Sequence, residues 1–349
     1  MEVFEALIPW YNKHKRDLPW RDTHDPYYIW LSEVILQQTR VEQGLPYYFR
    51  FIEKYPTVFE LASAPDDEVM KLWQGLGYYN RASNMLKTAR IIVQEYNGVF
   101  PGDYNGLIQL KGIGPYTAAA IASFAYNEAK AVVDGNVYRV LSRVFAINTP
   151  INSTQGKKQF EVLANEVLNR KVPALHNQAM MELGATVCKP KQANCAACVL
   201  MLFCEAYKQN ALYNYPVKES KRKPINRYLH YFIWEHEDEI VIRQRLDEGI
   251  WNKLYEFPAV ESGEKFIPSQ ISSLFANEIL KGKHAFKIAP CHQAKHQLTH
   301  QTIYAVFWRV EAKELFFKED KKCIKIPMEK LSVYAMPRLL DRFIHTILL

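Results

Sequence analysis

The chain has 349 residues, 48% hydrophobic and 23% charged, with 44 Lys and Arg against 37 Asp and Glu for a formal net charge of +7 at pH 7. This mixture excludes a disordered or low-complexity chain, and the length is that of two domains, each with its own core. No run approaches the roughly 18 apolar residues of a membrane span, and Met1 to Trp20 has no apolar signal core, so a cytoplasmic, signal-free, monomeric protein is expected.

Up to about residue 210 the periodicity is helical. Tyr28 to Val41 is amphipathic and apolar around Glu33, which points to a partly desolvated carboxyl where a surface glutamate is the plainer reading. Phe49 to Ala62 and Asp66 to Gln74 read as helices, the second with an acidic first turn. Gly75 to Arg81 is a glycine-bracketed loop presenting Leu76, Tyr78 and Tyr79, and a helix from Asn80 to Tyr96 ends at Asn97-Gly98. Gly112 and Gly114 flank Ile113 just ahead of Pro115, a tight turn that would aim backbone N–H groups from a helix N-terminus at an anion. About twenty residues on, Asp134 precedes a further helical pattern, either as a plain N-cap or as a carboxylate beside whatever the turn holds. Helices over Thr154 to Asn169 and Ala174 to Val187 complete the array, with Glu182 in the last.

Cys188, Cys195, Cys198 and Cys204 follow in a C-x6-C-x2-C-x5-C loop, leaving Cys291 and Cys323 isolated. In a reducing compartment a disulfide framework is not expected. Zinc favours two paired knuckles and only one is present, so an iron–sulfur cube suits the spacing better, with structural zinc as the other reading. Residues 213–228, with two prolines and the basic Lys218, Lys221, Arg222, Lys223 and Arg227, read as a linker, either solvated or tracking phosphates. Beyond it Leu229 to Trp234 and Glu239 to Arg245 form a hairpin pattern, and Trp251 to Val260, Ala285 to Ile288 and Thr302 to Val310 add strands. Ser269 to Leu280 and Met336 to Leu348 add helices, making a smaller α+β domain.

The hairpin LKGIG, the segment VVDGNVYR and the cysteine loop, in this order, resemble the helix–hairpin–helix glycosylase superfamily typified by endonuclease III. LPWR (Leu18 to Arg21), SEVILQQTRVE (Ser32 to Glu42), GLGYYNRA (Gly75 to Ala82) and GPYTAAAI (Gly114 to Ile121) narrow the likeness to MutY-type adenine DNA glycosylases over essentially the whole chain. The resemblance implies a mainly α fold: a helix–hairpin–helix glycosylase domain at 1–212 with a [4Fe-4S] loop at 188–204, the linker at 213–228, and a Nudix-like α+β domain at 229–349 that reads 8-oxoguanine. No run has the character of a Nudix box, so diphosphate hydrolysis is not expected.

Removing adenine needs a protonated leaving group and a stabilised sugar cation, and two carboxyl groups in different surroundings can divide these tasks. Glu33 in its apolar helix suits the acid and Asp134 at a helix N-terminus the ionised partner. The resemblance assigns the same roles and adds Tyr116 and Asn136 as hydrogen-bonding support. It also places Arg16, Leu18, Trp20 and Glu182 at an adenine pocket, Gln38, Leu76 and Tyr78 as residues filling the duplex, and Gly112 and Gly114 on phosphates. Bifunctional relatives place a lysine where Tyr116 stands; a phenol cannot form an imine, so a monofunctional enzyme is expected. At the family's aromatic–serine–histidine loop this chain has Leu298, Thr299 and His300. The implied partner is duplex DNA with adenine opposite 8-oxoguanine or guanine. The competing readings are an oxidised-pyrimidine glycosylase with lyase activity and a non-catalytic iron–sulfur damage sensor or electron carrier.

Overall fold

The computed structural model describes residues 4–220, 224–246, 249–262, 268–282 and 284–348. Lys221, Arg222 and Lys223 of the expected basic linker lie outside them. By contacts the chain divides into two compact units, Met1–Ser63 with Asn84–Ser220, and Ala64–Ser83 with Lys221–Leu349. This differs from the division read from sequence: residues 64–83, expected within the helical domain, group with the C-terminal residues.

In chain order the helices through residue 220 are α1 Leu7–His14, α2 Pro26–Leu36, α3 Val41–Lys54, α4 Val58–Ser63, α5 Asp66–Trp73, α6 Asn80–Tyr96, α7 Tyr104–Leu107, α8 Pro115–Tyr126, α9 Gly135–Val144, α10 Thr154–Val167, α11 Pro173–Thr186 and α12 Glu205–Lys208. The Asp25 carboxylate caps α2 by accepting from the Tyr27 N–H at 2.8 Å, and Pro26 starts the helix where its missing N–H costs nothing. The expected end at Val41 comes early, at Leu36, because Gln38 is left-handed with φ 55°. The single helix expected over Phe49 to Ala62 is two, α3 and α4. Pro56 has no N–H for the ladder, and Tyr55 before it is pushed out of the helical region.

The first unit is cored where helices are buried on several faces. In α2, Tyr27, Ile29, Trp30, Leu31, Val34 and Ile35 are buried, and α2 packs on α8, whose residues from Thr117 to Phe124 are all buried. A second cluster joins α1, α9, α10 and α11 through Leu7, Tyr11, Val140, Leu141, Phe160, Met180 and Leu183. Gly184 lets α11 meet α9 closely, since a Cβ there would lie 2.6 Å from Asn136 Cβ.

The C-terminal unit contains a mixed sheet of β1 Ile225–His236, β2 Glu239–Gln244, β3 Tyr255–Glu256, β4 Ala259–Ser262, β5 Lys287–Gln297, β6 Gln301–Glu311 and β7 Cys323–Pro327, with helices α13 Pro268–Glu278 and α14 Arg338–Phe343. The last four residues of the expected 213–228 linker therefore lie in β1. The expected β1–β2 hairpin pairs only at Glu235↔Ile240 and His236↔Glu239. The main partner of β1 is β6, parallel from Ile225↔Gln301 to Trp234↔Val310. A nearly continuous buried run in β1 is what a central strand covered on both faces requires. One face packs Phe232, Trp234 and Trp308 against Ile271 and Phe275, and on the other Phe307 stacks on Phe343 at 3.9 Å. No described helix is long and apolar enough to cross a membrane.

Candidate active site

In the first unit, α2, α8 and the start of α9 bring the four expected catalytic side chains, Glu33, Tyr116, Asp134 and Asn136, together. Glu33 on α2 is 7% exposed, and the Tyr116 hydroxyl on α8 donates to its Oε2 at 2.6 Å. Burial pushes the Glu33 pKa from 4.5 up to about 7; the Tyr116 hydrogen bond opposes this, the Asp134 charge reinforces it, and Arg21 opposes it. Burial also holds the Tyr116 phenol far above its ordinary value, so it remains a neutral donor.

Asp134 caps α9. Its Oδ1 accepts from the Asn136 and Val137 N–H groups, each at 2.8 Å, and its Oδ2 accepts from Asn136 Nδ2 at 2.6 Å. Burial is the largest effect and leaves its pKa raised above the ordinary carboxylate value, with those donors and Arg139 opposing the rise. The capping reading and the functional reading of Asp134 thus describe one carboxylate: the cap is what orients it. The arrangement is two buried carboxyls with different partners, one suited to carrying a proton near neutrality and one set among N–H donors at a helix N-terminus.

Two of the expected base-pocket residues, Arg16 and Glu182, also meet. Glu182 on α11 is fully buried, and Arg16 donates to it from its backbone N (3.0 Å), Nε (2.8 Å) and Nη2 (2.8 Å). Arg21, missed as a site residue although it ends the LPWR run, donates to Glu182 Oε2 at 2.6 Å and to the Arg16 carbonyl at 2.9 Å. Burial pushes Glu182 up but the two arginines dominate, holding it at about 2 and hence ionised. Leu18 and Trp20 are buried nearby in sequence, and Trp20 meets Tyr48 edge-on at 5.2 Å.

The hairpin before α8 turns at Gly112, left-handed at φ 94°, where a Cβ would lie 2.9 Å from Thr88 Oγ1. Gly114 caps α8 in an extended conformation, and a Cβ there would meet no atom within 4 Å, so its face is open. Gln38 is exposed. In the C-terminal unit Tyr78 is 48% exposed and left-handed at φ 49°, while Leu76 is buried. Tyr78 joins the β5–β6 turn, its hydroxyl 2.8 Å from Thr299 Oγ1; Leu298 is half-buried, and Thr299 and His300 are exposed.

Cys188, Cys195, Cys198 and Cys204 line one cavity with Val140, Arg143, Leu183 and Leu200. The four thiols share this one cavity, a donor set of sulfur alone. Arg143, 1% exposed, donates from Nη1 to Cys188 Sγ at 3.3 Å and spends its other donors on the Lys189, Pro190 and Leu212 carbonyls. A buried cation beside the first sulfur fits an anionic thiolate-bound group. Arg139, one turn earlier, donates to the Cys188 carbonyl at 2.6 Å and to Asn136 Oδ1 at 2.8 Å. Only the spacing of Arg139 and Arg143 on one helix face hinted at these contacts.

A family model described as "HhH-GPD superfamily base excision DNA repair protein" matches residues 31–169, and a NUDIX domain model matches 230–346. The adenine DNA glycosylase of Buchnera aphidicola subsp. Baizongia pistaciae is 34% identical over 352 residues, covering 99% of this chain and 96% of that protein. The Homo sapiens adenine DNA glycosylase is 46% identical over 210 residues, 58% of this chain and 38% of that protein. Among solved structures, a thermostable thymine-DNA glycosylase superposes with a TM-score of 0.55 at 28% identity, covering 60% of this chain and 96% of that one. An endonuclease III–DNA complex, at TM-score 0.52 and 22% identity over 60% of this chain and 96% of that one, shares the fold. With both domain models matched in order and near-complete mutual coverage with a relative 34% identical, the chain belongs to the adenine DNA glycosylase family.

Proposed function

We propose that the protein is a monofunctional glycosylase of base excision repair, hydrolysing the N-glycosidic bond of adenine paired with 8-oxoguanine or guanine in duplex DNA. The observation that carries this reading is the pair of buried carboxyls, Glu33 raised to about 7 beside the Tyr116 hydroxyl and Asp134 set among N–H donors. Glu33, protonated, gives its proton to the departing purine; Asp134 stabilises the positive charge that develops on the sugar; a water attacks the anomeric carbon. Tyr116 and Asn136 hold the two carboxyls, and Tyr116 has no amine to attack the sugar, so strand cleavage through a Schiff base does not follow. Arg16, Leu18, Trp20 and Glu182 would receive the flipped adenine, with Arg21 completing the neutralisation of Glu182. Gln38 and Tyr78, both exposed, would fill the duplex, whereas Leu76 is buried and does not reach it, and the Gly112–Gly114 turn would hold phosphates through its backbone N–H groups. Most of residues 1–212 would form the excision domain, with 64–83 grouping with 229–349 in the reader, whose Leu298, Thr299 and His300 would face the base opposite adenine.

Cys188, Cys195, Cys198 and Cys204 would hold a [4Fe-4S] cluster, whose contribution when bound is to fix the 188–204 loop. Arg139 and Arg143 tie that loop to α9 and so to Asp134. The test is single-turnover adenine release from duplexes with 8-oxoguanine, guanine or thymine opposite. Glu33→Gln and Asp134→Asn are each expected to lower release by at least a hundredfold. Full activity in both, or tight binding without release by the unaltered protein, would defeat the proposal.

A further inference from the structure

The turn between β5 and β6 carries a histidine whose proton position is forced by its neighbours. Because β1 and β6 run parallel, Arg227 stands opposite Ile303 and Ile225 opposite Gln301. The Arg227 guanidinium forks onto both carboxylate oxygens of Glu261 on β4, and its Nη1 donates to Gln301 Oε1 at 3.0 Å. A guanidinium has donors only, so Gln301, buried at 6% exposure, must turn its carbonyl oxygen towards Arg227 and its amide nitrogen the other way. That nitrogen lies 3.2 Å from His300 Nε2. An amide nitrogen also donates only, so His300 Nε2 accepts, and the neutral ring keeps its proton on Nδ1. The backbone holds this arrangement in place: the Ile225 N–H donates to the His300 carbonyl at 3.1 Å and the Leu298 N–H to the Gln301 carbonyl at 2.9 Å.

We propose that Arg227 and Gln301 are positioning residues that set the tautomer of His300, so that its exposed ring offers an Nδ1–H donor to an acceptor oxygen of the DNA. This rests on the reading of the turn as facing the base opposite adenine. The shared chemistry is an anionic or carbonyl oxygen, and its source is either a backbone phosphate or the opposite base. Gln301→Glu inverts the relay: a carboxylate still accepts from Arg227 but also accepts from His300, which drives the ring proton to Nε2. Arg227→Met frees the Gln301 amide to rotate and is expected to give both tautomers.

The experiment uses the full-length protein labelled with 15N-histidine, at alkaline pH so that the ring is neutral, with His300→Ala assigning the resonances. The unaltered protein is expected to show a protonated Nδ1 and a bare Nε2, and Gln301→Glu the reverse. Binding to adenine:8-oxoguanine and adenine:guanine duplexes is measured alongside. Gln301→Glu and His300→Ala should each weaken binding about three- to tenfold, the loss of one hydrogen bond. A loss equal for both duplexes supports the relay with a phosphate as acceptor, and a loss confined to one supports it with the base. A bare Nδ1 in the unaltered protein overturns the proposal. So does a tautomer unmoved in both Gln301→Glu and Arg227→Met, which keeps the test valid if one variant fails to fold. If His300→Ala binds both duplexes normally while the tautomer results hold, the DNA-facing reading of the turn falls, and with it the relay's role in recognition.

Discussion

Glu33→Gln should make the protein more stable as it makes it inactive, and the gain should depend on pH. Burial raises the Glu33 pKa from 4.5 to about 7. A group whose folded pKa lies above its unfolded value binds more protons when folded, so its contribution to stability is favourable at low pH and is lost as pH rises through that window. A shift of that size is worth about 3 kcal/mol once pH exceeds both values, at 1.36 kcal/mol per unit. Glutamine keeps a carbonyl for the Tyr116 hydroxyl but has no charge to desolvate. The variant should therefore nearly match the parent at pH 5 and exceed it by roughly 2–3 kcal/mol more at pH 8, a rise of about 5–10 °C in melting temperature. Melting curves of both proteins at pH 5, 6.5 and 8 check this. A difference that stays flat or shrinks towards pH 8 would refute the buried-acid account of Glu33.

Tyr116→Phe removes the hydrogen bond that holds the Glu33 pKa down. Its excision rate should fall at the optimum while the alkaline limb of the pH–rate profile moves to higher pH; a limb moving to lower pH would contradict the geometry. Gly112→Ala forces a left-handed φ of 94° on a residue with a Cβ and sets that atom 2.9 Å from Thr88 Oγ1, a cost of about 1–2 kcal/mol by denaturant titration. Gly114→Ala meets nothing within 4 Å and should leave stability within about 0.5 kcal/mol while weakening duplex binding, so the reverse pattern would misplace the phosphate contact. Protein purified without oxygen should contain about four irons and four sulfides per chain and lose them in Cys198→Ser. Stoichiometric zinc without sulfide would return the loop to a single-ion site.

Residues that act through their own backbone or local surroundings were legible in the sequence. Gly112, Gly114 and Pro115 announce a turn into a helix, Asp134 announces a cap, and Glu33 stands out because the residues around it are apolar. Residues that act by reaching across the fold were not. Arg139 and Arg143 read as one face of an ordinary helix until Cys188 lies beside them, and Gly184 matters only because Asn136 packs on it. Strands β1, β2 and β6 were themselves found, but their main pairing was missed for the same reason. Turn residues at Glu237 and Asp238 advertise a local hairpin, whereas the parallel pairing of β1 with β6 depends on partners such as Arg227 and Ile303, which no local periodicity connects. Helix boundaries slipped at Gln38 and Tyr55, where one residue's backbone conformation overrides a longer apolar pattern.

The grouping of residues 64–83 with the C-terminal residues bears on how the chain can be made and cut. The Tyr255 hydroxyl donates to Asp67 at 3.0 Å, Gln74 donates to Asp341 at 2.6 Å, and Lys253 pairs with Asp66. On the ribosome, α5 emerges early and must wait for more than half the chain before these partners exist. A truncation ending near Ser220 would remove these partners of Asp66, Asp67 and Gln74. Such a fragment should hold α5 less firmly than the whole chain does, and an engineered split of the two halves would succeed better by moving 64–83 to the C-terminal piece than by cutting at the linker.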